Sequence, residues 1–585
     1  MARSHYLASE VPPLKTLPAS ALRVVWKEGY APKSLRADIL AGLVVGIVAL
    51  PLAMALAIGV GVPPQYGLYT SVVAGFIVPL LGGSRFQVTG PTAAFIVILA
   101  PIFLKFGLGG LLFSGFLAGI ILFAMGLTRM GKLIQFIPHP VTVGFTAGIG
   151  TVIAVLQLKD IFGLHIEKTP EHFVDRVWSM IQAGSSVNLS EFGVGFLSLV
   201  LLILVPKLTK KVPAPLIMLF FVTVASAAIQ RFYPTFQVAT IGSRFHTTIF
   251  GTTFSGIPQL LPQFATPWSL SGVGGTSIPI NLDTLRTLLP SAFAIAMLGA
   301  IESLLSAVVA DGMAGTKHDP DSELMALGVG NMICPFFGGI AATGAIARTA
   351  TNIRYGGKSP VSAMIHAATI LAAILILAPA LSYLPMASLA ALLLIVAWNM
   401  SDVKHFIQIV KIAPKSDVAI LLTCYFLTVV FDMVIAVSVG VVLASLLFMQ
   451  RMASSASAAL ISEEHPSLKL KLPPGVILYE VAGPLFFGAA DKAMDTLKTI
   501  GSQTKAIIFY MRGVPIIDET GLVAFRGALA RLERQGVLVV VTELQKQPHL
   551  VLKKASVNPQ PGKLVFCHTV QGAIDTIQNH IAAST

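Results

Sequence analysis

Two short polar segments interrupt hydrophobic stretches of the chain and could bind an anion. They are residues 89–92 (TGPT) and 343–346 (TGAI). Each follows a glycine-containing segment and precedes a short apolar segment. A broken helix is tolerated in lipid only where its freed backbone groups line a cavity or are buried in protein. Two such breaks in corresponding halves indicate a transporter's substrate site, where helix N-termini offer N–H groups to an anion. The predicted anion contacts are Thr89, Gly90, Thr92, Thr343, Gly344, Ala345 and Ile346.

Two ionisable residues near these breaks could add charge to the site. Arg348 lies one turn into the second short helix, and Glu302 lies within an apolar stretch. An ionised group at this depth usually faces a cavity or a partner. Arg348 therefore attracts the anion or pairs structurally with a buried carboxylate or with helix-end carbonyls, and the two roles can coexist. Glu302 either takes up and releases a proton during transport or merely neutralises Arg348.

The composition identifies an integral membrane protein. The chain has 585 residues, of which 55% are hydrophobic and only 11% charged, whereas soluble proteins have about 25% charged residues. The net charge of +13 could suggest a nucleic-acid partner, but much of it lies at the ends of apolar spans, where membrane topology explains it. The three cysteines are far apart, so we expect no metal site. We also expect no cofactor and no enzymatic site, because the sequence shows no catalytic cluster of residues.

The apolar runs predict an all-α polytopic protein with fourteen spans between residues 37 and 450. Seven lie before residue 231 and seven after 285, and an odd number per half predicts an inverted repeat. The third and tenth spans are short, as half-helices must be. Segment 232–285 is expected to be an extended external linker. The spans are expected near 37–58, 65–81, 90–105, 109–128, 138–158, 190–206, 213–230, 286–310, 323–338, 344–354, 359–378, 386–400, 417–432 and 434–450.

The ends of the chain are expected to lie in the cytoplasm. Basic residues recur in every second loop, which under the positive-inside rule places both the 1–36 segment and the C-terminal tail on that side. After a linker at 451–473, β-type runs alternate with helical patterns from residue 474 to 585. This alternation predicts a small α/β domain. Its helices are expected at 489–500, 520–535 and 568–581.

Five stretches of the chain resemble the SulP (sulfate permease) anion transporter family, and the tail resembles that family's STAS domain. They are LPLAMALAIGVGVPPQYGLYTSVVAG, VTGPTAAFIVIL, AMLGAIESLLSAVVADGMAGTKH, FFGGIAATGAIARTATNIR and LTVVFDMVIAVSVGVVLASLLFM. The resemblance implies seven-plus-seven inverted repeats, a core domain that moves against a gate domain as an elevator, and homodimers. Within the family, C4-dicarboxylate transporters are the most similar, which implies proton-coupled uptake of succinate, fumarate or aspartate across a bacterial inner membrane.

The resemblance also assigns roles to individual residues. Glu302 and Ser306 match the cation site of sodium-coupled members, but the matching hydroxyl on the second half-helix is replaced by Ile346, which favours protons over sodium. Leu52 and Leu56 match positions near the substrate, and an apolar wall there suits the middle of a dicarboxylate. Thr520 matches the phosphorylatable position of STAS domains, although a role as helix N-cap is the simpler interpretation.

Two other interpretations are kept open. The first is a bicarbonate or sulfate transporter of the same fold. The second is a membrane-anchored signalling scaffold, in which the STAS domain binds a cytoplasmic protein and the membrane part is a sensor.

Overall fold

In the computed structural model, the chain falls into two compact units, residues 1–441 and 442–585. The structure describes residues 18–132, 138–166, 170, 173–209, 212–233, 235–249, 252–270, 272, 277–431, 433–455, 457–461, 471–499 and 504–584. The expected N-terminal segment 1–36 and the expected linker 451–473 therefore lie partly outside the described residues.

Long apolar helices make up most of the first unit. A short helix α1 (Ser20–Lys27) precedes those of the first half, which are α2 (Pro32–Val60), α3 (Pro64–Leu81), α4 (Ala94–Leu127), α5 (His139–Ile161), α6 (Phe173–Gln182), α7 (Leu189–Leu208) and α8 (Ala214–Phe232). Four of them begin with proline in the first turn, where its missing N–H costs nothing.

The second half repeats this arrangement after a short helix α9 (Ile241–Arg244). Its helices are α10 (Leu282–Ala314), α11 (Pro320–Ile333), α12 (Ile346–Arg354), α13 (Val361–Leu381), α14 (Met386–Ser401), α15 (Val403–Ile412), α16 (Lys415–Val430) and α17 (Met433–Ser455). Among the described residues, nine helical segments are long and apolar enough to cross a bilayer on those criteria alone.

Two of the spans are half-helices, as predicted. Gly107 has φ 70° inside α4 and separates residues 94–106 from 108–127. Glycine is suited to this left-handed conformation because it has no Cβ. The second half-helix is α12, which has only 9 residues. With α4 counted as two pieces and the amphipathic α6 and α15 left out, seven spans lie in each half, and the predicted fold class is confirmed.

The helices pack in a pattern that is symmetrical between the halves. α2 packs on α13 while its counterpart α10 packs on α4, and α3 packs on α13 while α11 packs on α4. Likewise α5 packs on α16 and α14 on α7, with α5 and α14 against each other. We call helices α2–α4 and α10–α13 the core group. We call helices α5, α7, α8, α14 and α16 the gate group.

Small residues allow the closest of these contacts. A Cβ on Gly46 would lie 2.6 Å from Cβ of Thr369 on α13, and one on Gly148 would lie 2.7 Å from Cβ of Thr428 on α16. Such approaches are how helices associate in lipid, where the hydrophobic effect does not drive helix association.

The segment expected to be an extended linker, 232–285, has secondary structure of its own. Besides α9 it contains an antiparallel hairpin of β2 (His246–Ile249) and β3 (Thr252–Ser255). The expectation of an extended chain was therefore wrong over these residues. The Thr-rich composition that resembled a loop is also typical of strands.

The second unit contains a five-stranded sheet in the order β5 (Ser457–Ile461), β6 (Val476–Ala482), β7 (Ala506–Gly513), β8 (Leu538–Thr542) and β9 (Leu564–Cys567). β5 is antiparallel to β6 and the other pairs are parallel. Alternate strand residues pack on α19 (Glu519–Arg534) on one face and on α21 (Val570–Ser584) on the other. The remaining helices are α18 (Phe487–Asp495) and α20 (Lys546–Lys554).

Candidate anion-binding site

The two interrupted spans meet inside the core group. Residues 89–90 form a two-residue strand, β1, that pairs antiparallel with β4, residues 343–344, so that Thr89 is opposite Gly344 and Gly90 opposite Thr343. All four residues are buried. The backbone bonds that an unbroken helix would have made within itself are thus partly replaced by pairing between the two halves, as membrane burial requires.

We call the pairing of Thr89 and Gly90 with Thr343 and Gly344 the crossing. Each half-helix has an uncapped N-terminus beside it. The N-cap positions are Ala93 for α4 and Ala345 for α12, and neither helix start receives a side-chain cap from the described residues. Serine, threonine, asparagine or aspartate normally supplies that bond. The first N–H groups of both helices and their dipoles are therefore available to an anion.

Arg348 lies at the crossing with its charge uncompensated. Its side chain is 3% exposed, and none of its three guanidinium nitrogens has a hydrogen-bond partner among the described residues. The guanidinium packs against Gly90, where a Cβ would lie 3.7 Å from Cζ of Arg348. A buried cation without a partner is costly, so the arrangement calls for an anion or water.

Other buried polar groups near the crossing also have no partner within the described part of the chain. They include the hydroxyls of Ser71 and Thr89 and both ring nitrogens of His366. A Cβ on Gly90 would lie 3.2 Å from Oγ of Ser71, and one on Gly75 would lie 3.5 Å from Cε1 of His366. Buried polar groups are normally satisfied, so several unsatisfied ones in one place indicate a ligand or ordered water.

Glu302 does not contact Arg348. Its Oε2 accepts a 2.7 Å hydrogen bond from the hydroxyl of Thr92, and the described residues contain no ion pair of Glu302 or Arg348. The possibility that Glu302 neutralises Arg348 is therefore not realised in this structure. The acid instead holds the residue that leads into the first half-helix.

The other predicted hydroxyls are engaged with protein. Thr343 donates to the carbonyl of Gly299 at 2.8 Å, and Ser306 donates to Oγ1 of Thr349 at 3.2 Å. Of the three threonines expected to face the anion, Thr89 alone has no acceptor among the described residues. Ser306 thus supports α12 and does not bond Glu302.

The predicted apolar contacts differ in accessibility. Ile346 is 38% exposed and Leu56 only 2%, while Leu52 is partly buried. Ile346 and Leu52 could therefore face a substrate, whereas Leu56 is part of the packing. Two apolar cavities lie elsewhere, one of about 410 Å³ between α2, α8 and α13 and one of about 880 Å³ among the gate helices.

Several residues of the site were not anticipated from the sequence. Gln87 donates to Oγ of Ser303 at 2.6 Å and to Oε1 of Glu323 at 2.7 Å. Asn352 donates to the carbonyl of Phe86 at 2.9 Å. The one signal for this group was an acid at the start of an apolar span, in SELMALGVGN. Its partners are 236 or more residues away, and no local pattern reveals them.

In the second unit, Thr520 is exposed in the first turn of α19. The N-cap of that helix is Asp518, whose Oδ1 accepts from the N–H of Gly521 at 2.7 Å. The interpretation of Thr520 as the N-cap was therefore wrong, because Asp518 has that place. Its modification stays a prediction.

Comparison with known proteins decides the family. The sulfate permease family matches residues 35–424, and the STAS domain matches residues 467–573. The chain belongs to the sulfate permease family. YvdB of Bacillus subtilis (strain 168), named provisionally as a sulfate transporter, is 39% identical over 540 residues, covering 92% of this chain and 97% of its own. The bicarbonate transporter BicA of Picosynechococcus is 28% identical, covering 94% of this chain and 96% of its own.

Solved structures agree on the fold of this sulfate permease family member. The structure of SLC26A9 superposes with a TM-score of 0.78 at 19% identity, covering 100% of this chain and 99% of that one. The transmembrane domain of the cyanobacterial bicarbonate transporter BicA superposes with a TM-score of 0.59 at 26% identity, covering 71% of this chain and 98% of that one. The chain is thus a multi-pass membrane protein with a C-terminal STAS domain, and an anion transporter of the sulfate permease family. The members of that family are transporters and not enzymes.

Proposed function

We propose that this transporter takes up C4-dicarboxylates such as succinate, fumarate or aspartate together with protons. The observation that supports an anion site is the buried guanidinium of Arg348, which has no partner among the described residues and lies where two uncapped helix starts meet. One carboxylate would bind there. Ile346 and Leu52, both accessible in part, would contact the apolar middle of the substrate.

Proton coupling is assigned to Glu302. Its carboxylate accepts one hydrogen bond, from Thr92, and has no cationic partner in the part of the chain that the structure describes. A carboxyl group without a fixed countercharge can gain or lose its proton as the substrate enters or leaves. Ile346, at the position where sodium-coupled members have a hydroxyl, removes one potential sodium ligand.

Sulfate or bicarbonate is the second candidate substrate. The names of YvdB and BicA favour it. A tetrahedral or planar oxyanion would use the same N–H groups and the same guanidinium, but it would make no use of the apolar wall.

Transport would proceed by an elevator movement of the core group against the gate group. The larger contacts between them are those of α2 with α14 and of α4 with α5. They are less extensive than the main contacts within each group, which suits sliding. We further propose a homodimer in a bacterial inner membrane, with both termini cytoplasmic and a protein partner at the STAS domain.

A transport panel tests the substrate and the coupling. The full chain is reconstituted in proteoliposomes, and labelled succinate uptake is measured with and without an inward proton gradient, with unlabelled fumarate, aspartate, sulfate or bicarbonate as competitors. Gradient-driven succinate accumulation that fumarate blocks and sulfate does not would support the proposal. Sulfate or bicarbonate accumulation without succinate uptake would establish the second candidate.

A further inference from the structure

Glu323 is a buried acid to which the transport proposal assigns no role. It lies in the first turn of α11 with 1% of its side chain exposed. Its Oε2 accepts from the backbone N–H groups of Gly83 at 2.9 Å and Ser84 at 3.0 Å, and its Oε1 accepts from Gln87 Nε2 at 2.7 Å. Three N–H donors thus converge on the two oxygens of one carboxyl group.

These bonds hold the segment that leads into the first half-helix. Residues 83–88 connect α3 to β1, and other second-half side chains bind the same segment. Asn352 bonds the Phe86 carbonyl at 2.9 Å, and Oγ1 of Thr349 accepts from the N–H of Val88 at 3.0 Å. Glu323 contributes the first three bonds of this series, and a buried N–H group that loses its acceptor is costly.

Gln87 connects Glu323 to the crossing itself. Its Nε2 also donates to Ser303, the neighbour of Glu302 on α10. Its side chain packs against Gly344, where a Cβ would be 2.6 Å from Cδ of Gln87. Since Oε1 of Gln87 has no partner among the described residues, the bonds of Nε2 to Glu323 and Ser303 determine how the amide is oriented.

We propose that Glu323 is a positioning residue for anion transport. By holding the Gly83 and Ser84 amides and the Gln87 side chain, its carboxylate places Thr89 and Gly90 opposite Gly344. The inference rests on the proposed function in taking this crossing as the anion site. It assigns Glu323 no contact with substrate.

Four variants of the full chain separate charge from shape. Glu323→Ala removes all three acceptor bonds. Glu323→Gln keeps an oxygen that accepts from Gly83 and Ser84, but it places an NH₂ group opposite Gln87. The Gln87 amide can rotate so that its unpartnered Oε1 accepts from that NH₂ group. Gln87→Glu places a second carboxylate against Glu323. Glu323→Gln combined with Gln87→Glu restores a donor–acceptor pair with the charge moved to the other residue.

Two measurements are made on each variant, the apparent KM for succinate (or for sulfate, should the panel establish it) and amide hydrogen exchange over residues 83–88 without substrate. Glu323→Ala is expected to raise KM about tenfold or more and to speed exchange at Gly83 and Ser84, while the maximal rate per folded transporter changes less. Gln87→Glu should be similarly impaired, and the double variant should return to within about threefold of wild type.

Asp321→Asn is the matched control. Asp321 is on the same helix and accepts from the Gly131 N–H at 3.0 Å, away from the half-helices, so KM should not change. Wild-type KM and exchange in Glu323→Ala, or a double variant no better than Gln87→Glu, would overturn the inference. If Arg348→Ala raises KM and Glu323→Ala does not, only this inference fails. If neither raises KM, the anion site itself is misassigned.

Discussion

At the residue scale, the electrostatics of the site centre on an arginine that has no partner among the described residues. Arg348 is buried and unpaired among the described residues, so the free energy of unfolding of the substrate-free protein includes the cost of burying it. An anion that binds the folded state should offset that cost and stabilise the protein by mass action.

Arg348→Met keeps the length of the side chain and removes the charge. We expect the apparent KM for the transported anion to rise at least about tenfold, while the melting temperature without substrate stays equal or increases. Substrate should stabilise the wild type and not the variant in thermal unfolding assays. Arg354→Met, at an exposed arginine of the same helix, is the control. Substrate stabilisation that persists in Arg348→Met would make the arginine structural.

Glu302→Gln tests the proton at the same scale. The amide oxygen can still accept from Thr92, so the contact in the structure is kept, but the side chain can no longer exchange a proton. Gradient-driven accumulation should be lost, whereas counterflow exchange of labelled for unlabelled substrate should continue. Thr92→Val, which removes only the donor, should retain proton-driven uptake. Normal accumulation by Glu302→Gln would exclude this acid from the coupling mechanism.

At the element scale, the crossing of the half-helices depends on glycine at one position. A Cβ on Gly344 would overlap the Gln87 amide, and overpacking of this kind costs about 1–3 kcal/mol. Gly344→Ala should therefore lower both stability and anion affinity, measured by thermal unfolding and transport. Gly312→Ala, in α10 with nothing within 4 Å of its Cβ position, should be neutral or gain up to about 1 kcal/mol. Equal behaviour of the two variants would contradict the packing at the crossing.

At the scale of the whole molecule, the division into two compact units allows the role of the membrane unit to be tested without the STAS domain. If the membrane unit is the transporter, a chain ending after Arg451 should retain succinate uptake in proteoliposomes within about tenfold of the full chain, an allowance for lost stability. The same truncation carrying Arg348→Met is the negative control. Complete loss of uptake by a truncated chain that still folds would favour the view that the STAS domain is the working part.

The sequence determined those features of the protein that depend on interactions between residues close together in the chain. Span lengths, the two half-helices and the strands β6 to β8 were predictable because apolar length, glycine breaks and alternation are local properties. The sequence also marked residues 89–92, 343–346, Glu302 and Arg348 as the candidate anion site, and their binding of substrate stays a prediction. It did not reveal the short strands β5 and β9. These strands are stabilised by pairing with distant strands of the sheet, and their own sequences show no clear strand pattern.

Only the tertiary structure decided which groups of the site meet. It paired Glu302 with Thr92 and left Arg348 unpaired among the described residues, and it joined Glu323 to Gln87 across 236 positions of the chain. Hydrogen bonds of this kind depend on how α10, α11 and α12 pack around β1 and β4. Sequence determines which residues lie at membrane depth, but the choice of partner there follows from distances of about 3 Å that arise only once the two halves have interlocked.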